Sequence, residues 1–173
     1  MKTLLIISCL FLSRAAPGQP TLKVFAFSQE AVPGIVAKNV TDENGKPVER
    51  KKEPAANYYI FAGYSTSLKI TIGDLWISGK MYRVSVKPVD STPVIHINDN
   101  DPKAPVRELL APSTPLRVVE ITVKDMVAEK NKRPSWLISM IRNSDLVVSW
   151  YYKGKKYFTG VRKFKKLLPQ MAI

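Results

Sequence analysis

Along most of the chain, apolar and polar residues alternate with a period of two, the pattern of half-buried strands. In residues 21–29 (TLKVFAFSQ), Leu22 and Val24 fall on one side and Phe25 and Phe27 on the other, so both faces are apolar. Further strands are predicted over 57–63 (NYYIFAG), 94–98 (VIHIN) and 116–124 (LRVVEITVK), and over 67–72, where Leu68, Ile70 and Ile72 share a face. A short strand over 34–40 (GIVAKNV) is expected after the break at Val32-Pro33-Gly34. The run 41–54 is polar and charged, and its Asn44-Gly45 pair favours a tight turn, so it is expected as an exposed connection or hairpin tip.

The best-specified stretch is 74–86 (DLWISGKMYRVSV), a hairpin turning at Ser78-Gly79 or Gly79-Lys80. Either register puts Leu75, Ile77, Tyr82, Val84 and Val86 on one face and Asp74, Trp76, Met81 and Arg83 on the other. The apolar positions shift from even (68, 70, 72) to odd (75, 77), which predicts a bulge at Gly73. A second hairpin over 150–161 repeats the spacing: Tyr151 precedes Gly154 as Trp76 precedes Gly79, and Tyr157 follows it as Tyr82 does. Its expected buried set is Val148, Trp150, Tyr152, Tyr157 and Val161. A duplicated unit and convergence on a good hairpin both account for this likeness.

The period changes in one place. Trp136, Leu137, Met140 and Ile141 recur at helical spacing behind Pro134, and Asn143 can close the turn, so one short helix is predicted near 134–143. The segment 98–115 contains four prolines and is expected as a long surface crossing between strands. These elements predict a mainly β protein, an antiparallel β-sandwich for which an immunoglobulin-like arrangement is one form.

Composition adds a location. Residues 1–18 combine Lys2, the apolar run TLLIISCLFL and small residues, the layout of a secretory signal cleaved after Gly18. The run is too short to span a bilayer, and no later segment approaches that length. The single cysteine, Cys9, lies inside this leader, so residues 19–173 are expected to form one β-rich domain held by burial without disulfides. A periplasmic or secreted protein of the bacterial envelope fits this combination. The formal net charge is +13, and residues 150–173 carry seven bases and no acid. Such a local field concentrates anionic partners.

Candidate chemistry is sparse. Any Ser-His-Asp scheme would have to use His96, the one histidine, which is read as lying on the polar face of a strand between Ile95 and Ile97. No GxSxG elbow or phosphate-cradling glycine loop is present, and a zinc site needs more thiolates or imidazoles. Asp99 and Asp101 offer hard oxygens for calcium. An EF-hand frame fails, however, because Lys103 and Ala104 occupy its fifth and sixth positions. A looser calcium loop is the remaining metal alternative, and no cofactor is expected. Glu108, Glu120 and Asp125 carry no local signature of paired catalytic carboxylates.

Ligand contacts are expected from Trp76 and Arg83 on the outward hairpin face, and from Lys155, Lys156, Arg162, Lys163, Lys165 and Lys166. As a helix, VRKFKKLL would set Val161, Phe164 and Leu168 against a basic face suited to an anionic membrane surface. As a strand end it would present cations to an anionic glycan or lipopolysaccharide. The plain alternatives are lysines guarding an exposed edge and a buried Trp76. No nucleic-acid recognition motif is present.

The hairpin WISGKMYRVSV, the Thr92-Pro93-Val94 that follows and YYKGKKY ahead of a lysine-rich end resemble small exported proteins of Gram-negative bacteria whose activity is uncharacterised. That resemblance implies an envelope location. VTDENGKPVE is similar to the opening of carboxypeptidase-regulatory-like β-sandwich modules, whose later glycine and tyrosine pattern does not follow in register. The resulting expectation is a non-enzymatic binding or structural module of the envelope, with a glycan, lipopolysaccharide or another envelope protein as partner. Binding of a polyanion or membrane surface through the basic segment is the alternative, and an unrecognised hydrolase is a second.

Overall fold

The computed structural model describes residues 20–32, 56–98, 105–128 and 132–171. The leader, the strand expected over 34–40, the Asn44-Gly45 turn and the Asp99/Asp101 pair lie outside the described residues. In chain order the elements are β1 (Lys23–Val32), β2 (Ala56–Tyr64), β3 (Ile70–Ile77), β4 (Lys80–Pro88), β5 (Val94–Asn98), β6 (Val106–Ala111) and β7 (Arg117–Met126). Then follow the helix α1 (Ser135–Arg142), β8 (Leu146–Tyr152), β9 (Lys155–Val161) and two short strands, β10 (Lys165–Lys166) and β11 (Gln170–Met171). The chain is mainly β with one short helix, as its patterning predicts.

The principal sheet runs β10-β1-β2-β7-β4-β3-β8-β9, and β11 also pairs with β1. All neighbours are antiparallel except β10 and β11, which run parallel to β1. The sheet is curled. Ala26, Ile60, Leu75, Ile121, Leu146 and Trp150, from five different strands, share one buried cluster on its inner face. Tyr82 and Val84 of β4 and Tyr157 and Val161 of β9 pack against the same cluster. The facing layers expected of a sandwich are therefore two parts of one continuous sheet. This strand order gives the immunoglobulin-like form no support.

The outer face is covered in two places. Leu110 and Ala111 of β6 join Phe27, Phe61, Val118 and Leu167 in a second cluster, which lays the β5–β6 ribbon over β1, β2 and β7. Leu137 and Ile141 of α1 pack on Trp76 and Val147 in a third. The two-sided apolar pattern of β1 thus serves two clusters at once: Ala26 lies in the inner one and Phe27 in the outer one.

The bulge falls where parity demands it. The β3–β8 register shifts between Ile72 and Leu75, and Leu75 and Ile77 return to the inner face. At Gly73 the strands approach so closely that a β-carbon would stand 2.7 Å from Ser149 Oγ and 3.0 Å from Tyr151 Cε2. Both hairpins turn through two residues at positive φ, Ser78-Gly79 at 48° and 82° and Lys153-Gly154 at 47° and 74°. This is the pattern of the primed turns that match strand twist. The expected inward set of the second hairpin, Val148, Trp150, Tyr152, Tyr157 and Val161, belongs to or packs against the inner core.

Two expectations are corrected. The proline-rich crossing contains a strand, β6, paired antiparallel with β5. Pro105 and Pro112 stand on either side of Val106–Ala111 and leave its ladder donors intact. The polar face of β5, with His96 and Asn98, turns toward the body of the molecule. Ile95 and Ile97 are the exposed residues, each at 49%. Polar side chains on β1 and β2 receive that face, so the rule that isoleucines point inward is reversed.

Candidate functional site

A groove of about 480 Å³ opens between the β3–β4 hairpin, the segment after β7 and the first turn of α1. The sequence sets its chemistry strand by strand. Alternation places Asp74, Trp76, Met81 and Arg83 on the outer face of the hairpin, and all four line the groove. β9 contributes Lys156 from the same outer face, and the residues leading into α1 contribute Lys132 and Arg133. The remaining wall is apolar and includes Val127, Ala128, Pro134 and Leu137.

Among the described residues the groove is cationic, with Arg83, Lys132, Arg133 and Lys156 against the single carboxylate of Asp74. Lys156 Nζ lies 3.4 Å from Asp74 Oδ2 and 5.5 Å from the ring centres of Tyr151 and Phe158. Arg133 donates to the carbonyl of Gly79 at 3.3 Å, tying the entry of α1 to the hairpin turn. Pro134 caps the helix without a side-chain hydrogen bond, and the first turn carries no acid.

Trp76 gives the groove its unusual feature. The residue is only 3% exposed, wedged between α1 and β8, with Phe158 at 6.0 Å. Its indole Nε1–H is buried and has no hydrogen-bond partner among the described residues. Leaving such a donor unmet costs about 1–3 kcal/mol.

Of the residues singled out by sequence, the groove gathers Trp76, Arg83 and Lys156. The other basic residues lie elsewhere. Lys155 opens β9 beside the turn, and Arg162 and Lys163 are exposed at the bend after it. Lys165 Nζ sits 5.7 Å above the Phe27 ring, and Lys166 pairs with Glu30 at 3.0 Å. The described tail is extended, and Phe164 packs on the inner core while Leu168 is exposed. The strand form of VRKFKKLL is therefore the one adopted. Lys132 and Arg133 are the groove residues that sequence reading passed over; their signal was the basic run directly before a predicted helix start.

His96 belongs to a different cluster. Gln29, fully buried, accepts from the Tyr59 hydroxyl at 2.9 Å through Oε1 and donates through Nε2 to the Leu168 carbonyl at 2.9 Å. The same amide nitrogen lies 3.2 Å from His96 Nε2. Because the amide donates, His96 Nε2 accepts and its ring proton sits on Nδ1. Asn98 donates to the carbonyls of Leu168 and Pro169 at 3.0 and 3.3 Å, and Glu108 accepts from the Leu168 amide at 3.3 Å. Burial pushes the Tyr59 phenol above its ordinary 10.0. Four of these contacts, from Gln29, Asn98 and Glu108, end on residues 168–169, so the cluster fastens the tail across β1.

No protein-family model matches the chain, and no curated protein or solved structure matches it either. Among the described residues, no group of three or more His, Cys, Asp or Glu side chains is placed to hold a metal ion. No described helix is long and apolar enough to cross a membrane.

Proposed function

We propose that this protein is a non-enzymatic binding module of the bacterial envelope, periplasmic or secreted, and that the groove beside α1 receives an anionic group. The leader-like first 18 residues support export. One observation carries the binding assignment: among the described residues, the groove beside α1 holds four cations and one carboxylate. Those cations would offset the cost of desolvating an incoming anion. The basic tail gives less support to a second site, because its cations are spread along β9, the following bend and β10.

Inorganic phosphate is a suitable first probe. Titrated into the uniformly 15N-labelled protein, it should shift the Trp76 indole N–H resonance, and the Arg83→Gln/Lys132→Gln variant should need at least tenfold more phosphate for the same shift. An indole resonance that stays fixed while other surface amides respond would reject the groove as the anion site.

A further inference from the structure

Resting on that reading, we infer that the groove takes a small amphiphilic anion, a single phosphate or carboxylate carried on an apolar body, in preference to an inorganic ion or an extended polyanion. Size is the first argument. A volume of about 480 Å³ falls within the range of sites that enclose organic ligands, roughly 300–1,000 Å³. A lone phosphate held by the groove's cations would leave most of that space as water against carbon.

The lining supplies the second argument. Met81, Val127, Ala128, Pro134 and Leu137 line the groove together with its cations, and these apolar side chains have nothing to offer an inorganic ion. The apolar surface extends past the groove, since Met126, next to Val127 in the chain, is 64% exposed. A hydrocarbon or ring laid on that wall gains from leaving water in proportion to the area it covers.

Geometry supplies the third. An extended polyanion is best met by a linear row of exposed cations, whereas here Arg83, Lys132, Arg133 and Lys156 converge on one groove. A headgroup at the end of a ligand, free to enter, meets them together. The cations steer it in.

The test compares four probes on the full-length protein, read at the Trp76 indole resonance: octyl phosphate and octanoate below their micelle concentrations, inorganic phosphate, and neutral octanol. A heparin hexasaccharide serves as the polyanion control. The inference expects octyl phosphate or octanoate to reach half-saturation at a concentration at least tenfold below both inorganic phosphate and octanol; which of the two binds tighter names the headgroup. Leu137→Ser should weaken the octyl ligands and leave inorganic phosphate unchanged. Arg83→Gln, which removes a cation lining the groove, should weaken both octyl ligands when followed by calorimetry. Equal midpoints for phosphate and octyl phosphate would overturn the inference while leaving the groove an anion site. Tightest binding by the hexasaccharide, falling steeply with salt, would overturn it in favour of a polyanion. Silence of the indole toward every anion would overturn both the inference and the proposed site.

Discussion

Gly73 shows how one residue sets the aim of a whole face. Without a side chain there, β3 lies close enough to β8 for Ser149 Oγ to donate to the Asp74 carbonyl at 3.1 Å, and the extra residue of the bulge turns Leu75 inward and Trp76 outward. A methyl group at position 73 would collide with that hydroxyl at 2.7 Å. Gly73→Ala should therefore cost about 1–3 kcal/mol of stability in urea unfolding, the usual range for overpacking. The same change in a Ser149→Ala background should cost clearly less, because the colliding atom has been removed. Equal costs in the two backgrounds would show that backbone conformation, not contact, makes glycine necessary there. The bulge could be read from sequence because parity is a strict signal. The Ser149 contact could not, since it depends on which strand lies alongside.

At the scale of elements, the short tail strands matter more than their length implies. β10 and β11 have two residues each, too few to hold themselves in place by ladder bonds alone. Gln29, Asn98 and Glu108 hold the intervening residues through side chains instead, and the Leu167 amide donates to Ser28 at 2.9 Å. Replacing Gln29 by alanine leaves the Tyr59 hydroxyl, His96 and the Leu168 carbonyl without their shared partner. Amide exchange at Leu167 and Leu168 should then accelerate at least tenfold, with the amides of β7 and β8 unchanged; uniform acceleration would mean that Gln29 supports the core and not the tail. The hairpins, the helix and the partition of their faces were legible because each is dictated within about a dozen residues, although Val86 and Trp136, grouped with the inward sets by their spacing, are exposed at 40% and 51%. The β5–β6 ribbon was obscured by its flanking prolines. The polar cluster was obscured because Gln29, His96 and Leu168 come from three distant parts of the chain, and no local period joins them. The groove was half legible: alternation placed Trp76, Met81 and Arg83 together, but only the docking of α1 brings in Lys132 and Arg133.

For the whole molecule, two partly covered phenols tie stability to alkaline pH. Tyr58 and Tyr59 are both held above their ordinary 10.0, chiefly by burial. The unfolded chain therefore releases these protons at a lower pH than the folded one does. Below 10.0 the contribution is fully present, and it is lost as pH rises through the raised folded values. Tyr59→Phe should be the less stable protein at neutral pH by about 1 kcal/mol, having lost the bond to Gln29. Wild type should lose stability faster as pH climbs past 10.0, so the gap between the two narrows; thermal melts across that range provide the check. A gap that widens or stays constant would place Tyr59 in a setting where its ionisation is indifferent to folding.

The parallel seating of the tail on β1 also has a consequence in time. Gln29 and the Leu168 carbonyl it holds are 139 positions apart, and a ribosome adding about 5–20 residues per second needs roughly 7–28 s to make the intervening chain. Throughout that interval the outer edge of β1 has no partner of its own, and an open edge of this kind can recruit a strand from a neighbouring chain. The residues that finally occupy it, Lys165 and Lys166, carry the charge that discourages such recruitment. Closure and protection of the edge thus arrive together.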